Sequence, residues 1–189
     1  TTVLGAVIDA EGDIAFGAGA NIRPQEDQED SYVRISSRGQ TSFGENAFVT
    51  SGTSLDIIGN KGIFLDKGAV LQSKLEDGSK NHTSLVSEHG GIRLGENSVV
   101  QGQTAYIRTG DESGVGGGSI ELGDNSQVSA KDNVSMTATG DVVLDGQFLS
   151  TSLNETVIKS SEGNVVLKDA SELISYGDVY LDAAGSIDI

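Results

Sequence analysis

The 189-residue chain contains no cysteine and one proline, and it lacks any apolar run long enough to cross a membrane. Without cysteine there are no disulfides, so packing and backbone hydrogen bonds must hold the fold together. The missing apolar run predicts no membrane insertion. Basic residues are also scarce: 12 Lys and Arg stand against 28 Asp and Glu, and the formal net charge is −16. Such a chain repels nucleic acid and anionic membranes, which leaves cations, basic proteins and neutral glycans as partners.

Helical periodicity is missing as well, and a repeat takes its place. Most repeats show apolar residues two positions apart, as in Ile120 and Leu122, which is the alternation of a strand buried on one face. A period of 22 to 29 residues predicts small units that stack to build one continuous core. The second residue of each pair is called the anchor here, and the eight anchors are Phe16, Phe43, Leu65, Leu94, Leu122, Leu144, Leu167 and Ile189.

Glycine and asparagine mark the corners between the predicted strands. Three residues after the anchor the chain has Gly19, Asn46, Gly68, Asn97 or Asn125, the residue types that adopt the left-handed region most easily. Glycine also stands four residues before most anchors, and we expect this corner to need a positive φ as well. These glycines are Gly12, Gly39, Gly90, Gly118, Gly140, Gly163 and Gly185.

Three short strands and three corners in about 22 residues predict an all-β fold of one kind. We expect a right-handed parallel β-helix, or β-solenoid, with about seven coils and three strands in each coil. Residues 1–189 would then form a single elongated domain. Like residues of successive coils would lie on top of one another, as Phe16 on Phe43 and Leu122 on Leu144.

The segments 163–170 and 175–189 resemble the filamentous haemagglutinin-like repeats of bacterial exoproteins that are exported by two-partner secretion. The likeness extends more loosely over the whole chain. It implies a β-helical shaft that holds adhesive or toxic modules away from the cell, with a role in biofilm matrix in some members. It also implies an extracellular or cell-surface location.

Two insertions interrupt the repeat at the corner between the second and third strands. The first runs from Arg23 to Ser31, and the second from Gln72 to Thr83, between Leu71 and Val86 on the neighbouring strands. Because loops carry function more often than scaffolds do, we predict that both contact a protein or glycan on a cell surface or in a matrix. No cofactor is predicted, although the acidic loops could hold Ca²⁺ weakly. The candidate contact residues are Glu26, Asp27, Glu29, Asp30, Lys74, Glu76, Asp77 and Lys80.

The two ends of the chain show no cap and read as partial coils. Leu4, Ala6 and Ile8 fit a third strand, whereas Ile187 and Ile189 fit a first strand. Two interpretations follow. The chain is a segment of a longer shaft, which its start at a threonine favours, or it is a subunit that stacks head to tail into a filament.

A polysaccharide-active β-helix enzyme is the alternative from a different functional class. Such an enzyme needs carboxylates about 5–10 Å apart. Asp56, Asp66, Asp141 and Asp145 are spread along strands and corners, so we predict no enzyme, and we interpret His82 and His89 as surface histidines. Three or more charged side chains in one groove would favour catalysis, and a smooth wall would favour a shaft.

Overall fold

The computed structural model describes residues 5–23, 30–74, 81–145, 154–168 and 171–189. These residues form nineteen β-strands and no helix. The strands are β1 (Gly5–Ala10), β2 (Ile14–Phe16), β3 (Asn21–Ile22), β4 (Tyr32–Ser37), β5 (Gln40–Phe43), β6 (Phe48–Ser51), β7 (Ser54–Gly59), β8 (Gly62–Leu65), β9 (Val70–Ser73), β10 (His82–Ser87), β11 (Ile92–Leu94), β12 (Val99–Thr109), β13 (Ile120–Leu122), β14 (Gln127–Ala138), β15 (Val142–Leu144), β16 (Glu155–Ser160), β17 (Val165–Leu167), β18 (Asp178–Ala183) and β19 (Ile187–Asp188).

The anchors lie in an eight-stranded parallel sheet, here called the anchor sheet. It contains β2, β5, β8, β11, β13, β15, β17 and β19 in chain order. Phe16 lies opposite Phe43, Phe43 opposite Leu65, and the register continues without a shift to Leu144 opposite Leu167. The predicted alignment of the anchors is therefore confirmed over these seven strands.

The second sheet has eleven strands and is called the curled sheet. Its main path is β1, β4, β7, β10, β12, β14, β16 and β18, while β3, β6 and β9 pair with one another in chain order and join it at β12. All of its strand pairs are parallel. A chain that returns to the same two sheets once per repeat has the pairing that a parallel β-solenoid requires.

Two repeats depart from the expected three short strands. β12 and β14 run for 11 and 12 residues, so the second and third predicted strands are continuous there. A register shift between Gly102 and Thr104 marks the place where the expected corner would lie. Neither repeat has an insertion at this point, and the backbone pairing can therefore continue through it.

Side chains that point between the two sheets form one hydrophobic core. Burial alternates along the strands, so that in β7 every second residue, including Leu55 and Ile57, is fully buried. The rings of Phe16 and Phe43 stack with their centroids 5.1 Å apart. Burial of each large apolar side chain contributes about 1.5–3 kcal/mol, so these columns are the main source of stability.

The two corners use glycine and asparagine for different reasons. After the anchor, Asn46, Asn97 and Asn125 have φ of 56°, 56° and 53°, as predicted. Before the anchor, none of the seven glycines has a positive φ, so that expectation was wrong. A Cβ on Gly118 would lie 2.7 Å from the backbone nitrogen of Gly91. The close approach of the preceding repeat, and not a positive φ, therefore explains the glycine at position 118.

The strand after the second insertion begins earlier than predicted, because β10 includes His82 and Thr83. Leu85 is buried and lies opposite Ile57. Thr83 takes the other inward position, where its Oγ1 donates to the carbonyl oxygen of Gln101 (2.6 Å) and accepts from the backbone N–H of Ser73 (3.1 Å). Because this inward position holds a polar threonine, the alternation of apolar and polar residues is not visible in this part of the sequence.

Candidate functional site

The structure describes two of the eight candidate contact residues. Asp30 is exposed in a turn just before β4, and Lys74 is half-buried directly after β9. The other six lie outside the described residues: Glu26, Asp27, Glu29, Glu76, Asp77 and Lys80. At the second insertion, residues 72–73 and 82–83 belong to β9 and β10, so this insertion is shorter than predicted.

Buried polar residues fix the places where the two insertions re-enter the curled sheet. Ser31 is 4% exposed, and its Oγ accepts from the N–H of Gly52 at 3.1 Å. Asn81 is 3% exposed, and its Nδ2 donates to the carbonyl oxygen of Lys74 at 3.2 Å. The strands that follow, β4 and β10, flank β7. The two re-entry points are thus two strand spacings, or about 10 Å, apart. That these loops contact a partner stays a prediction.

A groove on the outer face of the anchor sheet brings together four charged side chains. Arg93, Glu121 and Val143 lie opposite one another on β11, β13 and β15, each one residue before an anchor. Asp145 and Lys168 directly follow the anchors Leu144 and Leu167. Since the anchors point inwards, residues next to them point outwards. The groove has a volume of about 360 Å³, and its lining is Arg93, Glu121, Leu122, Gly123, Val143, Asp145 and Lys168.

The charges in the groove are partly paired. Lys168 Nζ lies 2.8 Å from Asp145 Oδ2. This hydrogen bond, the charge of Asp145, and the more distant carboxylates of Glu121 and Asp124 raise the pKa of Lys168 above its ordinary value. Arg93 and Glu121 make no side-chain hydrogen bond or ion pair with any other described residue. One guanidinium and one carboxylate are therefore available to a ligand.

The sequence analysis missed this groove. We treated Asp145 as one of several scattered carboxylates, whereas the fold places it beside Lys168 of the next repeat and near Glu121 of the previous one. Part of the signal was present, because these residues stand next to anchors whose alignment was predicted. Comparing the outward positions repeat by repeat would have placed the charged residues on one face, although it would not have shown the groove. The condition that would favour catalysis, at least three charged side chains in one groove, is met.

The histidines lie apart from the groove residues. His82 Nε2 is 3.0 Å from Asp56 Oδ1, and both side chains are more than a third exposed. His89 is exposed and lies beside Gly116. Within the described ranges, no group of three or more His, Cys, Asp or Glu residues could hold a metal ion. Weak Ca²⁺ binding by the first acidic loop stays a prediction, since residues 26–29 are outside those ranges.

The first and last described strands present apolar side chains. At one end, Ala6 is exposed and Ile8 is half-buried in β1, which pairs with β4. At the other end, Ile187 is 43% and Ile189 is 88% exposed, next to β17. Leu4, the remaining candidate stacking residue, lies outside the described residues.

No protein-family model, curated protein or solved structure matches this chain. In the part of the chain that the structure describes, no helix is long and apolar enough to span a membrane.

Proposed function

We propose that the chain is a structural shaft of a bacterial extracellular or cell-surface exoprotein. It is wound as a right-handed parallel β-helix of about seven coils and displays loops for adhesion or for biofilm matrix. The observation that supports the proposal most directly is the unshifted register of the anchor sheet from Phe16 to Leu167. A single column of anchors that continues from strand to strand gives the fold length and stiffness, and a shaft needs both.

The position of the insertions agrees with a display role. The ends of both predicted contact loops lie at the corner that precedes β4 and β10, about two strand spacings apart. The buried Ser31 and Asn81 hold these ends. A scaffold with variable loops at its edge is a common way to present a binding surface. The resemblance of residues 163–170 and 175–189 to filamentous haemagglutinin-like repeats supports the extracellular location.

The experiment for the shaft has two parts. A crystal structure of the purified chain should show about seven right-handed coils, spaced about 4.8 Å apart and together roughly 34 Å long. Antibodies against the chain should label intact cells that produce the protein, without permeabilisation. A left-handed winding or a coil count far from seven would contradict the proposed β-helix, and labelling only after lysis would contradict the surface location.

A head-to-tail filament subunit is a second candidate. In its favour, Ile8 stands eight residues before Phe16, and Leu181 stands eight residues before Ile189, so the two terminal strand pairs have the same spacing. A second copy could continue both sheets across the junction by strand addition. Sedimentation over a concentration series, with electron microscopy, tests this. Growing fibres that are lost in Ile187→Lys would support it, and monomers at every concentration would contradict it.

A polysaccharide-active enzyme is a third candidate, because the four charged side chains of the groove include the carboxylates of Glu121 and Asp145. Glycoside hydrolysis uses two such groups. The measurement is the release of reducing ends from polysaccharides by the wild-type chain, with Glu121→Gln as the inactive control. Equal release by both proteins, or none by either, would contradict catalysis in this groove.

A further inference from the structure

We propose that the groove lined by Arg93, Glu121, Val143, Asp145 and Lys168 binds a neutral saccharide. The inference rests on the proposed shaft function and deepens it, since it names a ligand class for a site on the wall of the shaft, away from the insertion loops. Its volume of about 360 Å³ falls within the range of small-ligand sites, which is about 300–1,000 Å³.

The balance of charge in the groove determines what kind of ligand group fits. Arg93 and Lys168 only donate hydrogen bonds, whereas the carboxylates of Glu121 and Asp145 only accept them. A ligand group of either charge would meet a like charge within the same groove. A hydroxyl both donates and accepts, so neighbouring hydroxyls on a sugar ring can bind the donors and the acceptors together.

The unpaired groups make this binding favourable. Arg93 and Glu121 make no side-chain hydrogen bond or ion pair with another described residue, so a sugar that contacts them breaks none. Asp145 and Lys168 are already paired at 2.8 Å, which holds both charged groups at one side of the groove. Hydrogen bonds to charged groups are stronger than those between neutral groups.

The groove also offers a small apolar surface. Val143 is half-buried between the charged residues, and Leu122 and Gly123 also line the groove. The C–H face of a sugar ring can pack on such a surface. The net charge of −16 repels polyanionic glycans at long range, and the cationic Arg93 disfavours amino sugars in the groove itself.

The experiment is a titration of the ¹⁵N-labelled full chain, followed by backbone amide shifts. The probes are neutral hexasaccharides of glucose, mannose, galactose and N-acetylglucosamine, with oligogalacturonate and oligochitosan as the anionic and cationic arms. At least one neutral probe should shift the amides of Glu121, Gly123 and Val143 in a saturable manner, while the charged probes should not. Arg93→Gln and Glu121→Gln should each weaken the binding roughly tenfold or more, because each removes a hydrogen bond that involves a charged group.

Arg34→Gln is the matched control, because Arg34 is an exposed arginine on β4 of the curled sheet. It should leave the affinity unchanged. The proposal is overturned if no neutral probe shifts these amides, if only a charged probe does, or if Arg93→Gln and Glu121→Gln bind as the wild type does. Failure here combined with the expected coils and surface labelling would leave the shaft in place, so the two proposals fail separately.

Discussion

Leu94 and Ile189 occupy the same position of the repeat in the middle and at the end of the anchor sheet. Leu94 lies between Leu65 and Leu122 and is fully buried, whereas Ile189 follows the last described strand and is 88% exposed. Their local sequence contexts are alike, with an apolar residue two positions earlier in each. The motif therefore determines the direction in which a side chain points, and the neighbouring repeats determine how far that side chain is buried.

The largest effect should come from truncating the two anchors themselves. Leu94→Ala should lower the free energy of unfolding by about 2–5 kcal/mol, because it removes buried methyl groups and leaves a cavity between two repeats. Ile189→Ala should change it by less than about 0.5 kcal/mol, as at other exposed sites. Urea denaturation of both variants measures the difference, and equal effects would show that the end of the sheet is covered in solution.

A second pair of variants compares the glycine corner in the middle and at the first coil. A Cβ at Gly90 would overlap the carbonyl oxygen of Lys61 in the adjacent repeat, whereas a Cβ at Gly12 would have nothing within 4 Å. Gly90→Ala should therefore destabilise the fold by about 1–3 kcal/mol through overpacking. Gly12→Ala should be close to neutral. Thermal unfolding of both variants measures the difference. If the two glycines instead acted through backbone flexibility, both variants should lose a similar amount of stability.

The asparagine corner should show a smaller and different effect. Asn97 has φ of 56°, so Asn97→Ala should cost about 1–2 kcal/mol from the left-handed conformation. Asn97→Gly should retain most of the stability, since glycine adopts this region readily. The reason for glycine at Gly90 is different, because there any side chain would meet the backbone of Lys61. If Asn97→Gly lost as much stability as Asn97→Ala, the asparagine side chain, and not its positive φ, would explain why asparagine stands there.

The smallest effect should come from the exposed ion pair between Lys67 and Glu96 on adjacent repeats, with Nζ and Oε1 2.8 Å apart. The hydrogen bond and charge of Lys67 lower the pKa of Glu96 below its ordinary value of 4.5. The stabilisation is thus present above that value and is lost as pH falls through the lower folded-state pKa. The stability difference between wild type and Glu96→Gln should be small at pH 7 and vanish in acid. A difference that grows in acid would contradict the assignment.

The outer wall shows the same dependence on neighbours as the core. Asp145 looks like an isolated surface residue in the sequence, yet stacking places it 2.8 Å from Lys168, which is 23 residues away. Glu121 and Arg93 join the groove from two further repeats. The candidate site could be recognised only after the register was known, because its four charged members come from four different repeats.

Much of the fold could be predicted because the repeat is carried by residues with narrow physical requirements. The anchors from Phe16 to Leu167 and the left-handed Asn46, Asn97 and Asn125 were placed from the sequence, and the structure confirms them. The start of β10 was missed, because Thr83 was placed in the second insertion. A buried hydroxyl that makes hydrogen bonds resembles a surface position in the sequence.

By itself the sequence determined the all-β character, the repeat and the inward direction of the anchors, because alternation and corner residues act over a few positions. Only the tertiary structure decided why Gly90 must be glycine, where β12 and β14 run on without a corner, and which charges meet in the groove beside Val143. The reason is that these features depend on contacts between repeats, and such contacts arise only when strands that are 22 or more residues apart lie side by side.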